Sequence, residues 1–282
     1  MKNLSSQIGR SAKLGKVFLI GAGPGDPELL TLKAARLIAE ADVILMDDLV
    51  NRAVLLHAGP KVRIRYVGKR GGCRSTPQSF INRLMAHEAS KGHCVVRLKG
   101  GDALIFGRAN EEIDFLKAHG VAVELVAGIT SAQAAGVALG RSLTDRAHSH
   151  GLVLLTGHPQ KNGENINYSV LAQQGLTLVF YMGLARCQDI QRDLLSSGVS
   201  AALPAAIIER ASYADSRVLS TTLGELSDCV LKNAVQSPAL LVLGQVAAQQ
   251  GTAVGLDFES LNEIAAQHLA TGIPSDPLVH YG

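Results

Sequence analysis

Residues 17 to 31 read Val17-Phe18-Leu19-Ile20-Gly21-Ala22-Gly23-Pro24-Gly25-Asp26-Pro27-Glu28-Leu29-Leu30-Thr31. The apolar run closed by Gly21 reads as a buried strand, and a helix pattern opens at Pro27, so the glycines lie at a strand-to-helix turn. A dinucleotide fingerprint needs G-x-G-x-x-G. Gly21 and Gly23 supply its first two glycines, but Asp26 stands at the third. Asp26-Pro27-Glu28 is instead a helix start, with a carboxylate as N-cap, proline at the first helical position and an acid in the first turn. A capping carboxylate takes the amide donors that would hold a pyrophosphate and repels a second anion. The turn therefore suits a neutral or cationic ligand, unless Gly-Pro-Gly-Asp-Pro is only a sharp turn, a reading that composition leaves open.

The chain has 282 residues, more than a typical single domain, which points to two α/β lobes. Hydrophobic residues make up 47% and charged ones 18%, enough apolar surface for a substantial core. There is no Trp and 4% aromatics, so that core is aliphatic, as in parallel sheets rich in Val, Ile and Leu. The net charge of +3 comes without a basic tail or run, which argues against a nucleic-acid partner. No apolar run approaches membrane-spanning length. Cys73, Cys94, Cys187 and Cys229 lack C-x-x-C spacing, which suits a reducing compartment. We expect a cytoplasmic protein.

Outward from the Gly turn, apolar strands alternate with helical patterns: strands at 17–20, 43–46, 63–67, 95–98 and 121–126, helices near 27–40, 51–57 and 77–91, and a helix start after Arg108. Such alternation predicts βα units and a mostly parallel sheet. Glycines gather at the strand ends, at Gly21, Gly68, Gly100-Gly101 and Gly128, the edge where open α/β sheets bind ligands. An Ala-rich helix from Ser131 to about Leu139, capped by Thr130 or Ser131, links the lobes. The second half predicts strands at 152–156, 176–182, 205–208, 217–221 and 239–243 with helices near 168–174, 184–196 and 223–233. Strands 205 and 217 are close enough to pair antiparallel, which makes that sheet mixed. The expected organisation is a flexible segment 1–15, an N-terminal lobe 16–129, a C-terminal lobe 130–250, and a helix with tail over 251–282.

A second Gly turn reads Arg97-Leu98-Lys99-Gly100-Gly101-Asp102-Ala103-Leu104-Ile105-Phe106-Gly107-Arg108-Ala109-Asn110-Glu111-Glu112. Paired glycines let a ligand touch bare backbone. Asp102 can accept hydrogen bonds from a ribose or an ammonium, and Arg108 can grip a carboxylate in bidentate fashion. Alternatively Arg108 and a nearby Glu form an exposed helix pair worth only tenths of a kcal/mol. Lys61, Arg63, Arg65, Lys69, Arg70 and Arg74 cluster in one stretch, and alternation puts Arg63 and Arg65 on one strand face. They form either a solvated edge or one wall of a polyanion site. His148 and His150 make an H-x-H pair, but no Cys or carboxylate stands at ligand spacing, so we expect no metal.

In order, Gly21-Ala-Gly-Pro-Gly-Asp26, Asp47-x-Leu49-Val50, Gly68-Lys69-Arg70, Arg97-Leu-Lys-Gly-Gly-Asp102, Ile105-Phe-Gly-Arg108-x-x-Glu111-Glu112, Gly128-Ile-Thr-Ser131 and Tyr181-Met182-Gly183 resemble the motifs of uroporphyrinogen-III C-methyltransferases in the tetrapyrrole methylase family, over about Gly15 to Ala247. The resemblance implies a two-lobed α/β fold with a mostly parallel N-terminal sheet, a mixed C-terminal sheet and an active site in the cleft between lobes. It also implies a homodimer that uses S-adenosylmethionine (SAM) to methylate uroporphyrinogen III at C2 and C7, giving precorrin-2 for siroheme, cobalamin or haem d1, with S-adenosylhomocysteine as by-product. Implied cofactor contacts are Pro24, Gly100, Gly101, Asp102, Ile105, Thr130, Ser131, Met182 and Ala211. Asp47 matches a proton acceptor and Lys69 a proton donor, while Arg108, Glu111 and Arg146, with Arg70 and Met182, fall where the tetrapyrrole is bound. The sequence departs from the pattern at Asp48, Ala103, Ala127 and Asp145, which stand where Arg, Pro, Pro and His are common.

The chemistry agrees with these residues. SAM is a sulfonium cation without phosphate, which suits carboxylates and bare backbone. A carboxylate-rich tetrapyrrole calls for the counter-charges of Arg65, Lys69, Arg70, Arg108 and Arg146. Asp47 could otherwise cap the helix that follows it, Lys69 could serve only to neutralise a side-chain carboxylate, and Met182 at a strand end could be core filling. A later corrin precursor, or a protein or RNA, remains an alternative acceptor. An NAD-dependent oxidoreductase would draw on the first Gly turn with Asp47 and Asp48, against which Asp26 counts. A non-catalytic tetrapyrrole carrier would bind no SAM.

Overall fold

The computed structural model describes residues 15–68, 76–158, 170–171 and 174–248. The expected segment before residue 15, most of the helix near 168–174 and the helix and tail over 251–282 lie outside them. Strands β1 (Lys16–Gly21), β2 (Val43–Met46), β3 (Arg63–Tyr66), β4 (Cys94–Lys99) and β5 (Ala122–Val126) form one sheet in the order β3-β2-β4-β1-β5, with every pair parallel. Strands β6 (Gly151–Thr156), β7 (Leu176–Tyr181), β8 (Pro204–Glu209), β9 (Arg217–Thr222) and β10 (Ala239–Leu243) form a second, in the order β6-β7-β10-β8-β9. There β6 and β7 run parallel and the other pairs antiparallel, β8–β9 included, so the sheet is mixed as expected.

The central strands of each sheet are buried on both faces, as their near-continuous apolar runs require. On one side of the first, Phe18, Ile20, Ile44, Met46, Val96 and Leu98 pack with Leu37 and Ile38 of helix α1 (Leu32–Glu40). Their alternate neighbours Val17, Leu19, Val43, Leu45 and Val95 pack with Ile81 and Met85 of α2 (Gln78–Ser90) and Leu116 of α3 (Ala109–Ala118). This is the period of two expected of a strand. In the second sheet Leu178, Phe180, Ile207 and Leu241 meet Ile190 and Leu194 of α5 (Cys187–Ser196) and Leu226 of α6 (Leu226–Lys232). On its other side Val179, Ala206, Ile208 and Val242 meet Ala132, Ala135 and Leu139 of α4 (Ser131–Leu139).

Two expected helices change character. Asp26 does cap, its Oδ1 accepting the Glu28 amide at 2.9 Å, but it caps a single 3-10 turn, Pro27–Leu29. Leu30 is extended and α1 starts afresh at Leu32, with the Thr31 hydroxyl accepting the Ala34 amide. The element near 51–57 is a 3-10 helix, Arg52–His57, capped by Asn51 and not by Asp47. At the sheet edge, Arg63 pairs with Glu88 at 2.9 Å and Arg65 is exposed, which favours the solvated-edge reading for these two, while Lys69, Arg70 and Arg74 lie outside the described residues.

The carboxy ends of β1, β4 and β5 meet without side chains between them. A Cβ on Gly21 would lie 2.7 Å from the Gly101 carbonyl oxygen and 2.7 Å from the Gly128 Cα. Backbone cannot yield there as a flexible side chain would. We expect Gly21→Ala to cost about 3 kcal/mol of stability, near the upper end for overpacking. Denaturant unfolding reads the loss, and a change below about 0.5 kcal/mol would show that the turns can spread.

Candidate functional site

Three N-terminal turns converge at this edge. Gly23 and Gly101 exchange backbone hydrogen bonds at 3.1 and 2.7 Å, and the Ala22 amide donates to the Lys99 carbonyl. Asp102 accepts the Leu104 amide on Oδ1 at 2.7 Å and the Gly128 amide on Oδ2 at 3.0 Å, so it ties the second turn to the third. A Cβ on Gly101 would lie 3.5 Å from Ser131 Oγ and 3.8 Å from the Thr130 Cα. The 47–50 loop closes on the same place, for a Cβ on Gly100 would lie 2.8 Å from the Leu49 Cβ. Pro24, Gly100, Gly101, Asp102, Thr130 and Ser131 are therefore neighbours.

The second sheet completes the edge. Tyr181, the last residue of β7, shares a 2.6 Å hydrogen bond between its hydroxyl and Thr130 Oγ1 and accepts the Ala132 amide at 2.9 Å. Burial pushes the Tyr181 phenol above its ordinary value. Its ring lies 5.1 Å from that of Phe106, which brings the 105–108 segment to the second sheet. Met182 follows on the surface at 43% exposure, which rules out core filling. From the far side, the Asp26 amide donates to Ser212 Oγ at 3.1 Å, and the Tyr213 ring fills the space that a side chain on Gly25 would need. Ala211 is buried beside them.

Backbone strain concentrates here. Phe106, Arg108, Met182, Arg210 and Ser212 all have φ between 51° and 67°, a region costing about 1 kcal/mol or more per non-glycine residue. Arg108 heads α3 in this conformation and grips Glu111 in bidentate fashion, Nε–Oε1 2.7 Å and Nη2–Oε2 2.6 Å. That hydrogen bond to Glu111 raises the Arg108 pKa. The exposed helix pair is thus present, and a ligand carboxylate reaching Arg108 would compete with Glu111.

Asp47, at the end of β2, accepts from Arg97 Nη2 at 2.6 Å and keeps 28% of its side chain open. Behind it runs a buried polar network that the motif reading missed: Arg97 Nε to Glu112 Oε1 at 3.1 Å, Lys99 Nζ to Glu112 Oε2 at 3.2 Å, and Gln78 Nε2 to Glu112 Oε1 at 2.9 Å. Glu112 is fully buried. Burial, then the neighbouring Arg97 charge, lowers the Lys99 pKa against the opposing pull of Glu112. Alternation in β4 carried the signal, because Arg97 and Lys99 share one face of an otherwise apolar strand.

Other expected residues stand apart. Lys69 and Arg70 lie outside the described residues. Arg146 is exposed in a turn built by Asp145, whose Oδ1 accepts the Ala147 and His148 amides at 2.8 and 3.0 Å and pairs with His148. Ile105 is half-buried. A cavity of about 730 Å3 lies between α4 and β9, lined by Gln133, Val137, Ser212 and Val218 among others. It adjoins the expected cofactor residues but is lined by none of them. No group of His, Cys, Asp and Glu among the described residues could hold a metal ion.

Residues 16–227 match the sequence pattern of the Tetrapyrrole (Corrin/Porphyrin) Methylases. A uroporphyrinogen-III C-methyltransferase of Pseudomonas aeruginosa is 51% identical over 232 residues, 82% of this chain and 94% of that protein. A siroheme synthase of Aeromonas hydrophila is 45% identical, and the chain spans 50% of its length. Among solved structures, a uroporphyrin-III C-methyltransferase of Thermus thermophilus complexed with S-adenyl homocysteine has a TM-score of 0.71 at 42% identity, over 83% of this chain and 99% of that one. A cobalt precorrin-4 methyltransferase reaches 0.73 at 26% identity, over 82% of this chain and 95% of its own.

Tyr181→Phe keeps the ring against Phe106 but removes both hydrogen bonds of the hydroxyl, an expected loss of about 1–2 kcal/mol in denaturant unfolding. The raised phenol pKa adds a pH signature. Its stabilisation is complete below the unfolded tyrosine value of about 10 and is lost as pH rises through the folded value. Stability should therefore fall less steeply above pH about 10 in Tyr181→Phe than in the wild type. Equal slopes would contradict the assignment.

Proposed function

The chain belongs to the tetrapyrrole methylase family, and from that premise we propose that it transfers methyl groups from SAM to C2 and C7 of uroporphyrinogen III, forming precorrin-2 by way of precorrin-1. The observation that carries this reading is the 51% identity with a uroporphyrinogen-III C-methyltransferase over 94% of that protein. Within the family, a later corrin precursor is the second reading, favoured by the TM-score of 0.73 with a cobalt precorrin-4 methyltransferase but by only 26% identity. A NAD-dependent oxidoreductase finds no support, because Asp26 occupies the Glu28 amide that a pyrophosphate would need.

The residues fit a sulfonium cofactor. Bare backbone at Gly101, where a Cβ would lie 3.5 Å from Ser131 Oγ, leaves room for a ligand, and Asp26, which holds the Glu28 amide, disfavours a phosphate at the first turn. Pro24, Asp102, Ile105, Thr130, Ser131, Met182 and Ala211 would line its place. When bound, SAM supplies an electrophilic methyl group. Uroporphyrinogen carbons are electron-rich, so the protein's main contribution is alignment. Arg108, released from Glu111, would take a substrate carboxylate, and Arg70, Glu111, Arg146 and Met182 would complete the acceptor's surroundings. Lys69 would donate a proton or neutralise a carboxylate. After transfer the ring is cationic, and Asp47 would accept the proton whose loss restores neutrality.

We further propose lobes at 16–129 and 130–250, a homodimer and a cytoplasmic setting. Among the described residues no helix is long and apolar enough to cross a membrane. Leu32 at 91% and Val137 at 79% exposure leave apolar surface that a second copy would cover.

Anaerobic incubation with SAM and uroporphyrinogen III should give a dimethylated product by mass. No mass gain would overturn the proposal, and gain only with a later precursor would favour the second reading. Asp47→Asn should lower kcat at least about 100-fold, the usual worth of a positioned base, while calorimetry finds S-adenosylhomocysteine binding unchanged.

A further inference from the structure

Arg97 is 1% exposed and every branch of its guanidinium is engaged: Nε by Glu112, Nη1 by the Leu98 carbonyl at 3.2 Å, and Nη2 by Asp47. It has no freedom to follow Asp47; Asp47 must take the geometry it offers. What fixes Arg97 is Glu112, on the adjoining α3. One carboxylate there binds Arg97 and Lys99 from β4 and Gln78 from α2, and Gln78 also donates to Asn82 at 2.9 Å. Arg97 and Lys99 thus face Glu112 and Asp47, two cations against two carboxylates, and of the carboxylates only Asp47 has an open side.

Such an arrangement is costly to assemble and is weak evidence for stability by itself. A base, by contrast, must hold its lone pair within hydrogen-bond reach of the departing proton. Arg97 occupies Oδ1 of Asp47 and leaves Oδ2 without a protein partner among the described residues.

We propose that Glu112 is a positioning residue for the methyl transfer: by clamping Arg97 it holds the Asp47 carboxylate with Oδ2 turned toward the acceptor ring. The proton leaves the methylated, cationic ring for Oδ2, and the electron pair of the broken bond neutralises the ring. Glu112 touches neither ligand. The same helix that presents the Arg108–Glu111 pair to the acceptor carries Glu112 on its inner face, so acceptor binding and base orientation share one rigid element. This inference rests on the reading of Asp47 as base.

The test is a double-mutant cycle in the full chain with Glu112→Gln, Asp47→Asn and the double variant, assayed anaerobically with SAM and uroporphyrinogen III. Glu112→Gln should lose about tenfold or more in kcat with KM for both substrates within about twofold, the pattern of an interaction made in the transition state. Calorimetry with S-adenosylhomocysteine should give wild-type affinity. The double variant should be no slower than Asp47→Asn, because Glu112 acts through Asp47. A slow Asp47→Asn beside a Glu112→Gln of wild-type kcat, or losses that multiply in the double variant, would overturn the positioning role. An Asp47→Asn of wild-type kcat would instead overturn the base assignment. Should Glu112→Gln fail to fold, Arg97→Lys carries the same test, since it keeps the charge but lacks the fork that spans both carboxylates.

Discussion

A Cβ on Gly21 would press on the Gly101 carbonyl oxygen and the Gly128 Cα at once, so the carboxy ends of β1, β4 and β5 approach as they do only with bare backbone at each. That contact fixes where everything else at the edge can stand. It lets Gly23 and Gly101 exchange backbone hydrogen bonds across the turns. It brings the Gly128 amide within reach of Asp102, and it sets Thr130 and Ser131 over Gly101. Asp102, which the family resemblance implied as a cofactor contact, is in this structure a brace between two turns. Each carboxylate oxygen has a second lone pair, so bracing and ligand binding do not exclude each other.

Around that rigid seam the second sheet contributes strained and aromatic groups. Tyr181 joins Thr130 to its own sheet, and Tyr213 stands where Gly25 has no side chain. Five of the six described non-glycine residues with left-handed backbone, Phe106, Arg108, Met182, Arg210 and Ser212, lie on the segments that meet across the seam; the sixth, Ala234, follows α6. Strain of this kind persists only where surrounding contacts over-determine it. Its concentration beside a packed glycine seam fits a place where geometry matters more than stability, as alignment-limited methyl transfer requires.

Much of this was legible in the chain. β10 at Ala239–Leu243 and α4 at Ser131–Leu139 have the bounds that their apolar runs predict, and of the two caps the sequence offered, Thr130 is the one used. The mixed sheet followed from the short spacing between Pro204–Glu209 and Arg217–Thr222. The first helix was misread because Asp26-Pro27-Glu28 is a start signal for any helix, and only the second cap at Thr31 separates a single 3-10 turn from α1. Seen as motifs, the Gly turns were clear; their mutual contact was not, since it depends on strand order, with β1 lying between β4 and β5. Tyr213 is 164 residues from Leu49, whose carbonyl its hydroxyl approaches at 3.5 Å, and no local pattern reports such a distance.

The buried network shows how the two kinds of information join. Arg97 and Lys99 break the apolar run of β4 on the face that carries Val95, so a buried counter-charge was required of some neighbour. The sequence offers Glu111 and Glu112 without distinguishing them. Helical geometry does so: Glu111 lies on the open side of α3 with Arg108, and Glu112, about 100° further round, faces β4. Two adjacent glutamates thus take different tasks on one turn of helix: Glu111 holds the exposed Arg108, and Glu112 is sealed against Arg97 and Lys99. Because α3 joins them rigidly, a shift of the helix that loosened Arg108 would also disturb Arg97, and with it the carboxylate of Asp47.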